Sequence, residues 1–239
     1  MWEFTIIGNA NLNLYLRNIE LTLKQKTDVI LAANKNTLSI ACKPENKQKV
    51  IKLLKPLISE TIVLFYKEQF FKNHINLNYL SDQFKTAFIK CLVLFDFEED
   101  YIIAFNELEL INAINLDSFF HFKLKQLKNK WQQLLYVLNS NSTFLESEAL
   151  LDLLKFLISS IKPKRESVDV YFNGVKFVLS DENNNILMFN NSESAELSLI
   201  SGLITLAPKT INLHCAGVLS NNTFKIIYYV FNKKVNLLV

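Results

Sequence analysis

Between residues 45 and 161 the apolar side chains recur almost without interruption at helical spacing, and this pattern restricts the fold more than any other feature. Leu77, Leu80, Phe84, Phe88, Cys91 and Phe95 form one stripe. Leu116, Phe120, Leu124, Leu127, Trp131, Leu134 and Leu138 form a second, with near-heptad spacing. Leu150, Leu153, Leu154, Leu157, Ile158 and Ile161 form a third. Stripes this wide must bury against one another, so the middle of the chain reads as a helical bundle. Pro44 suits the first turn of its first helix, whereas Pro56 is expected to break or kink that helix by removing a backbone donor. Thr143-Phe144-Leu145-Glu146 has capping-box spacing and predicts the start of the last helix.

Both ends read differently. Residues 4–7 have the character of a strand stopped by Gly8-Asn9, followed by a helix through Leu12, Tyr15, Leu16, Ile19 and Leu23. Residues 29–33 and 37–41 read as strands of a hairpin turned by Asn34-Lys35-Asn36. Past the polar connector Lys162-Pro163-Lys164-Arg165-Glu166, residues 168–172 and 175–179 flank Asn173-Gly174. Asn-Gly between apolar runs is the strongest short hairpin signal and implies positive φ at both turn residues. A turn over 181–185, a strand over 186–189, a helix through Leu197, Ile200, Leu203, Ile204 and Ala207 stopped by Pro208, a strand over 211–215, a helix over 223–231 and a strand over 235–239 complete the reading. The fold class is therefore α+β, with a central helical bundle and small mixed β elements at both ends. The C-terminal element is a β-meander followed by α-β-α-β, expected to form one sheet. The segments are 1–44 (β-α-β-β), 45–161 (helical) and 166–239 (mixed).

Composition sets limits on function. With 239 residues, half of them apolar and 19 of them Phe, the chain can bury a large core. Only four Gly and four Pro occur, which excludes long flexible linkers and collagen-like segments. A net charge of +3 from 26 basic and 23 acidic residues is near balance, and only Arg17 and Arg165 are arginines. That scarcity argues against a surface built to read phosphates. Cys42, Cys91 and Cys215 are odd in number, widely spaced and free of any CxxC pattern, so a reducing compartment fits better than a disulfide framework. Met1-Trp2-Glu3 leads straight into a strand-like run without a basic leader, and the longest charge-free apolar stretch, 197–207, is far short of the ~20 residues a bilayer requires. The expectation is a cytoplasmic protein with no membrane partner.

No chemical template closes. His214-Cys215 ends a strand ahead of a helix, the place where cysteine phosphatases hold their nucleophile. That chemistry needs an Arg six residues later, where Asn221 stands. His74, His121 and His214 are scattered and lack acidic residues at ligand spacing, so no metal site is expected. Glu98-Glu99-Asp100, with Glu107 and Glu109, reads as helix-start capping and solvated charge. Gly8, Gly174, Gly202 and Gly217 are isolated and form neither a phosphate loop nor a dinucleotide fingerprint, so no cofactor is expected. Lys123, Lys125, Lys128 and Lys130 share one helix, and Lys162, Lys164 and Arg165 form a second basic group. Converging, these seven would make a basic surface able to face nucleic acid or an acidic protein.

Two stretches carry a family pattern. One is Leu116-Asp117-Ser118-Phe119-Phe120-His121-Phe122-Lys123-Leu124-Lys125. The other is Leu199-Ile200-Ser201-Gly202-Leu203-Ile204-Thr205-Leu206-Ala207-Pro208-Lys209-Thr210-Ile211-Asn212-Leu213-His214. In order and spacing they resemble the YtxC-like family of sporulation proteins of endospore-forming Firmicutes. The resemblance runs from residue 116 to 239 and departs at Lys123, where the family favours Arg. It implies a link to sporulation and a cytoplasmic place, and it carries over no activity and no functional residues. The resulting expectation is a non-enzymatic protein acting through an unidentified protein partner. Its alternatives are a nucleic-acid-associated factor using the lysine helix and an enzyme using Cys215.

Overall fold

A computed structural model describes residues 1–140, 147–187 and 194–238. Its elements are β1 (Trp2–Ile7), α1 (Asn13–Lys26), β2 (Ile30–Ala33), β3 (Thr37–Cys42), α2 (Lys47–His74), α3 (Asp82–Leu94), α4 (Phe97–Glu107), β4 (Ala113–Asn115), α5 (Leu116–Lys123), α6 (Lys125–Ser140), α7 (Ser147–Ser160), β5 (Arg165–Phe172), β6 (Phe177–Asp181), β7 (Ile186–Leu187), α8 (Ala195–Leu206), β8 (Pro208–Leu213), α9 (Asn221–Lys225) and β9 (Val235–Leu237). The class is α+β. The chain forms two compact units, each assembled from two separated stretches: 1–70 with 97–134, and 71–96 with 135–239.

The first unit holds a four-stranded sheet in the order β2-β3-β1-β4. Strand alternation explains its core face. Phe4 pairs with Ile40 and Ile6 with Leu38 across the antiparallel β1–β3 ladder, and all four are buried. Leu16, Ile19 and Leu23 of α1 are buried at helical spacing, and α1 packs on β2 and β3. The β2–β3 turn is closed by Asn34, whose side-chain oxygen accepts the N–H groups of Asn36 and Thr37 at 3.0 and 2.9 Å. Strand β4 pairs in parallel with β1. At three residues it is too short to leave a periodic trace in the sequence.

Helix α2 runs unbroken through Pro56, contrary to the break expected there. Leu54, Ile58 and Ile62 on either side are fully buried, and the Ser59 hydroxyl donates to the Lys55 carbonyl at 2.9 Å. Burial of three such side chains outweighs the ~3 kcal/mol an interior proline costs. The second stripe, read as one helix, is two. The backbone leaves helical geometry at Leu124 (φ −98°, ψ 38°) between α5 and α6, although the Leu124 side chain stays buried. Leu77 and Leu80 of the first stripe precede α3 instead of lying on it. The capping box at 143–146, the end of the 186–189 strand and residue 239 lie outside the described residues.

The second unit holds a five-stranded sheet in the order β7-β6-β5-β8-β9, with β5, β8 and β9 parallel and β6 antiparallel to β5. The β5–β6 connection corrects the expected two-residue turn. It is a four-residue loop, 173–176, with Phe172 and Phe177 as the last pair. Only Gly174 takes positive φ (+91°), because the Asn173 side chain closes the turn by accepting the N–H groups of Val175 and Lys176. Helix α8, capped by Ser194, crosses over to β8 and ends at Ala207 in the left-handed region (φ +42°). Pro208 disfavours the right-handed helical region at the residue before it, which helps to end the helix there. A five-residue π-helical segment, Ile226–Val230, continues α9 toward β9. Both crossovers step the same way along the sheet, so right-handed connection puts their helices on one face. The side chains on that face, Val168, Val170, Leu179, Ile211 and Leu213, are buried.

Candidate functional site

The opposite face of the five-stranded sheet is polar. Register places Ser180, Asp169, Asn212 and Asn236 in one row across β6, β5, β8 and β9. The Asn236 amide donates to Asn212 Oδ1 at 3.1 Å. Beside this row, His214 Nε2 lies 2.9 Å from Asp169 Oδ1, and the imidazole stacks on Tyr171 with centroids 4.2 Å apart and planes 16° from parallel. The His214 N–H donates to the Val170 carbonyl, which fixes the backbone where β8 ends. Two strands thus supply a carboxylate, an imidazole and a phenol to one half-exposed patch. Reading His214 with Cys215 overlooked Asp169 and Tyr171. Their spacing at i and i+2 on β5 was the available signal, and only the parallel β5–β8 pairing brings them to His214.

A carboxylate-oriented imidazole is two thirds of a nucleophilic triad. Among the described residues no hydroxyl or thiol hydrogen-bonds to His214. Cys215 is buried, its Sγ facing the Val170 carbonyl at 3.6 Å, and burial raises its thiol above the usual value. A thiol poised for attack is lowered instead. Among the described residues no group of three His, Cys, Asp or Glu could hold a metal ion.

The basic residues fall in two places. Lys123 and Lys125 are exposed at the α5–α6 junction. Lys128 donates to the His121 carbonyl at 3.0 Å, and Lys130 is held by Glu99 at 2.8 Å and Asp100 at 3.1 Å. All four belong to the first unit, whereas Lys162, Lys164 and Arg165 lead into β5 in the second. Phe122 on α5 is 74 % exposed. His74 and His121 are surface residues.

The acidic cluster holds a correction. Glu98 and Glu99 are exposed as expected, but Asp100 is 0 % exposed. Its Oδ2 accepts from Lys67 Nζ at 2.6 Å and from the Trp131 indole at 2.9 Å, with Lys67 and Trp131 each 1 % exposed. Phe120 and Phe70 pack on the Trp131 ring, and Tyr66 stacks on Phe120. A charge goes into such surroundings only with partners, and Lys67 at Oδ2 and Lys130 at Oδ1 supply them.

The model of the YtxC-like family matches residues 99–236, more than half of the chain. The chain belongs to the YtxC-like family. The matched segment includes the Asp169–Tyr171–His214 patch, Asp100, Trp131 and both stretches in which the family pattern was read. No protein of curated function and no solved structure matches the chain. Among the described residues no helix is long and apolar enough to cross a membrane.

A second polar knot ties the starts of α8 and α9, both in the matched segment, to the start of α3, which precedes it. Glu196, in the first turn of α8, accepts from the Ser220 N–H and hydroxyl at 2.6 Å each and from the Thr223 hydroxyl at 2.8 Å, with Gln83 at 3.3 Å. Burial pushes its carboxyl up, but these hydrogen bonds together outweigh burial and hold it below the usual glutamate value. A depressed folded-state pKa contributes stability above the unfolded-state value and loses it as pH falls through the folded-state value. Wild type will therefore melt above Glu196→Gln at pH 7. The gap will close as the pH is taken below the ordinary carboxylate range, as read by thermal melts across a pH series.

Proposed function

We propose that this YtxC-like protein is a sporulation-associated cytoplasmic protein that works without catalysis, through contact with another protein. The observation that carries the reading is the polar face of the five-stranded sheet. Asp169, Tyr171 and His214 are held rigidly by strands and half exposed, with no nucleophile bonded to the imidazole. Rigid, laterally presented aromatic and charged groups suit recognition of a second surface. The buried, raised thiol of Cys215 weakens the enzyme alternative. The ties of Lys128 and Lys130 weaken the nucleic-acid alternative, since a phosphate-binding face needs its cations available.

The test is co-purification of the tagged full chain from sporulating cells of an endospore former, run beside Tyr171→Ala and His214→Ala. The expected result is a discrete protein that co-purifies with wild type and is lost from both variants while their folding is retained. Equal recovery with wild type and variants, or recovery of small metabolites alone, overturns the reading. A salt-sensitive gel shift lost in Lys123→Glu/Lys125→Glu would favour nucleic acid instead.

A further inference from the structure

Asn173-Gly174 is the only Asn-Gly pair in the chain, and the loop that carries it has a specific chemical consequence. The Asn173 side-chain oxygen accepts two backbone N–H groups, from Val175 at 3.1 Å and Lys176 at 2.9 Å. Two donors on a carbonyl oxygen polarise the carbon and stabilise negative charge developing on that oxygen. The Gly174 N–H makes no hydrogen bond in the loop, whose closing bonds run from Asn173, Val175 and Lys176. Nothing lies within 4 Å of the position a Gly174 Cβ would take, and both residues are exposed. An unbonded backbone nitrogen, an activated side-chain carbonyl and an unhindered approach therefore meet at adjacent residues.

The geometry points to Asn173 as a site of spontaneous deamidation in the folded protein. The Gly174 nitrogen attacks Asn173 Cγ, forming an N–C bond and a five-membered imide. The Cγ–Nδ2 bond breaks, and the leaving nitrogen takes up the proton lost from Gly174 and departs as ammonia. Water then opens the imide to aspartate or, by the other carbonyl, to isoaspartate, with no change of oxidation state. Aspartate puts a carboxylate three residues from Lys176 and keeps the oxygen that closes the turn. Isoaspartate lengthens the backbone at the tip of the hairpin whose strands carry Asp169 and Tyr171.

The molecule holds its own control. Asn34 closes the β2–β3 turn with the same two bonds, to the second and third residues along, but Lys35 follows it. The experiment is incubation of the full chain at mildly alkaline pH, folded and in urea, followed by peptide mass mapping. The expected result is that folded Asn173 loses its amide at least as fast as the unfolded chain does, and faster as pH rises, while Asn34 keeps its amide throughout. Retention of the Asn173 amide in the folded protein under conditions that convert the unfolded chain overturns the proposal, because the side-chain bonds would then be protective. Equal loss at Asn34 overturns it as well.

Discussion

Asp100→Ala will destabilise the protein by about 3–5 kcal/mol, the largest loss expected from any single carboxylate among the described residues. The substitution takes away the carboxylate 2.6 Å from Lys67, an ammonium that is 1 % exposed, and the acceptor of the Trp131 indole. A buried ammonium that loses this anionic neighbour, together with a buried indole N–H that loses its acceptor, costs far more than the pair contributes when intact. The double change Lys67→Met/Asp100→Leu removes both charges at roughly constant volume and will recover much of the loss. Urea titration followed by tryptophan emission reads the effect directly, since the chain's two tryptophans, Trp2 and Trp131, both lie in the first unit. A midpoint shift in Asp100→Ala no larger than that of an exposed neighbour such as Glu98→Ala would refute the account.

The second large effect is Leu203→Ala, expected to cost about 2–5 kcal/mol, against less than about 1.5 kcal/mol for Leu203→Met. Leu203 is fully buried, along with Ile200 and Ile204, on the helix that carries the chain from β7 to β8. Small residues, Ser201 and Gly202, are buried between them, and α8 packs against α3. A close-packed helix interface collapses little around a deletion, which puts the loss toward the upper part of the range. Far-UV circular dichroism in denaturant reports on this unit, which contains no tryptophan.

Local chemistry was legible in the sequence wherever one residue type dictates one backbone state. Asn34 and Asn173 marked turns, Pro208 marked the end of α8, and the runs at 168–172 and 211–215 marked two strands of the sheet. What stayed hidden depends on residues far apart in the chain. Asp100 reads as one of three consecutive acids at a helix start, and nothing local separates it from exposed Glu98 and Glu99. Only packing of α2, α4 and α6 brings Lys67 and Trp131 to it. His214 reads with its neighbour Cys215, yet its partners lie more than 40 residues away on β5. The break at Leu124 has no Gly or Pro to announce it, and the persistence of α2 through Pro56 reflects flanking burial that a local rule about proline does not weigh.

The interleaving of the two units bears on how the chain can be cut for expression. A fragment trimmed to 99–236 would keep β4 without the β1 strand it pairs with, and Asp100 without Lys67. A cut in the 71–96 excursion severs the polypeptide of both halves at once, because the chain leaves one and re-enters it after visiting the other. Shortened versions that keep the first unit whole must therefore preserve residues 1–70 together with 97–134.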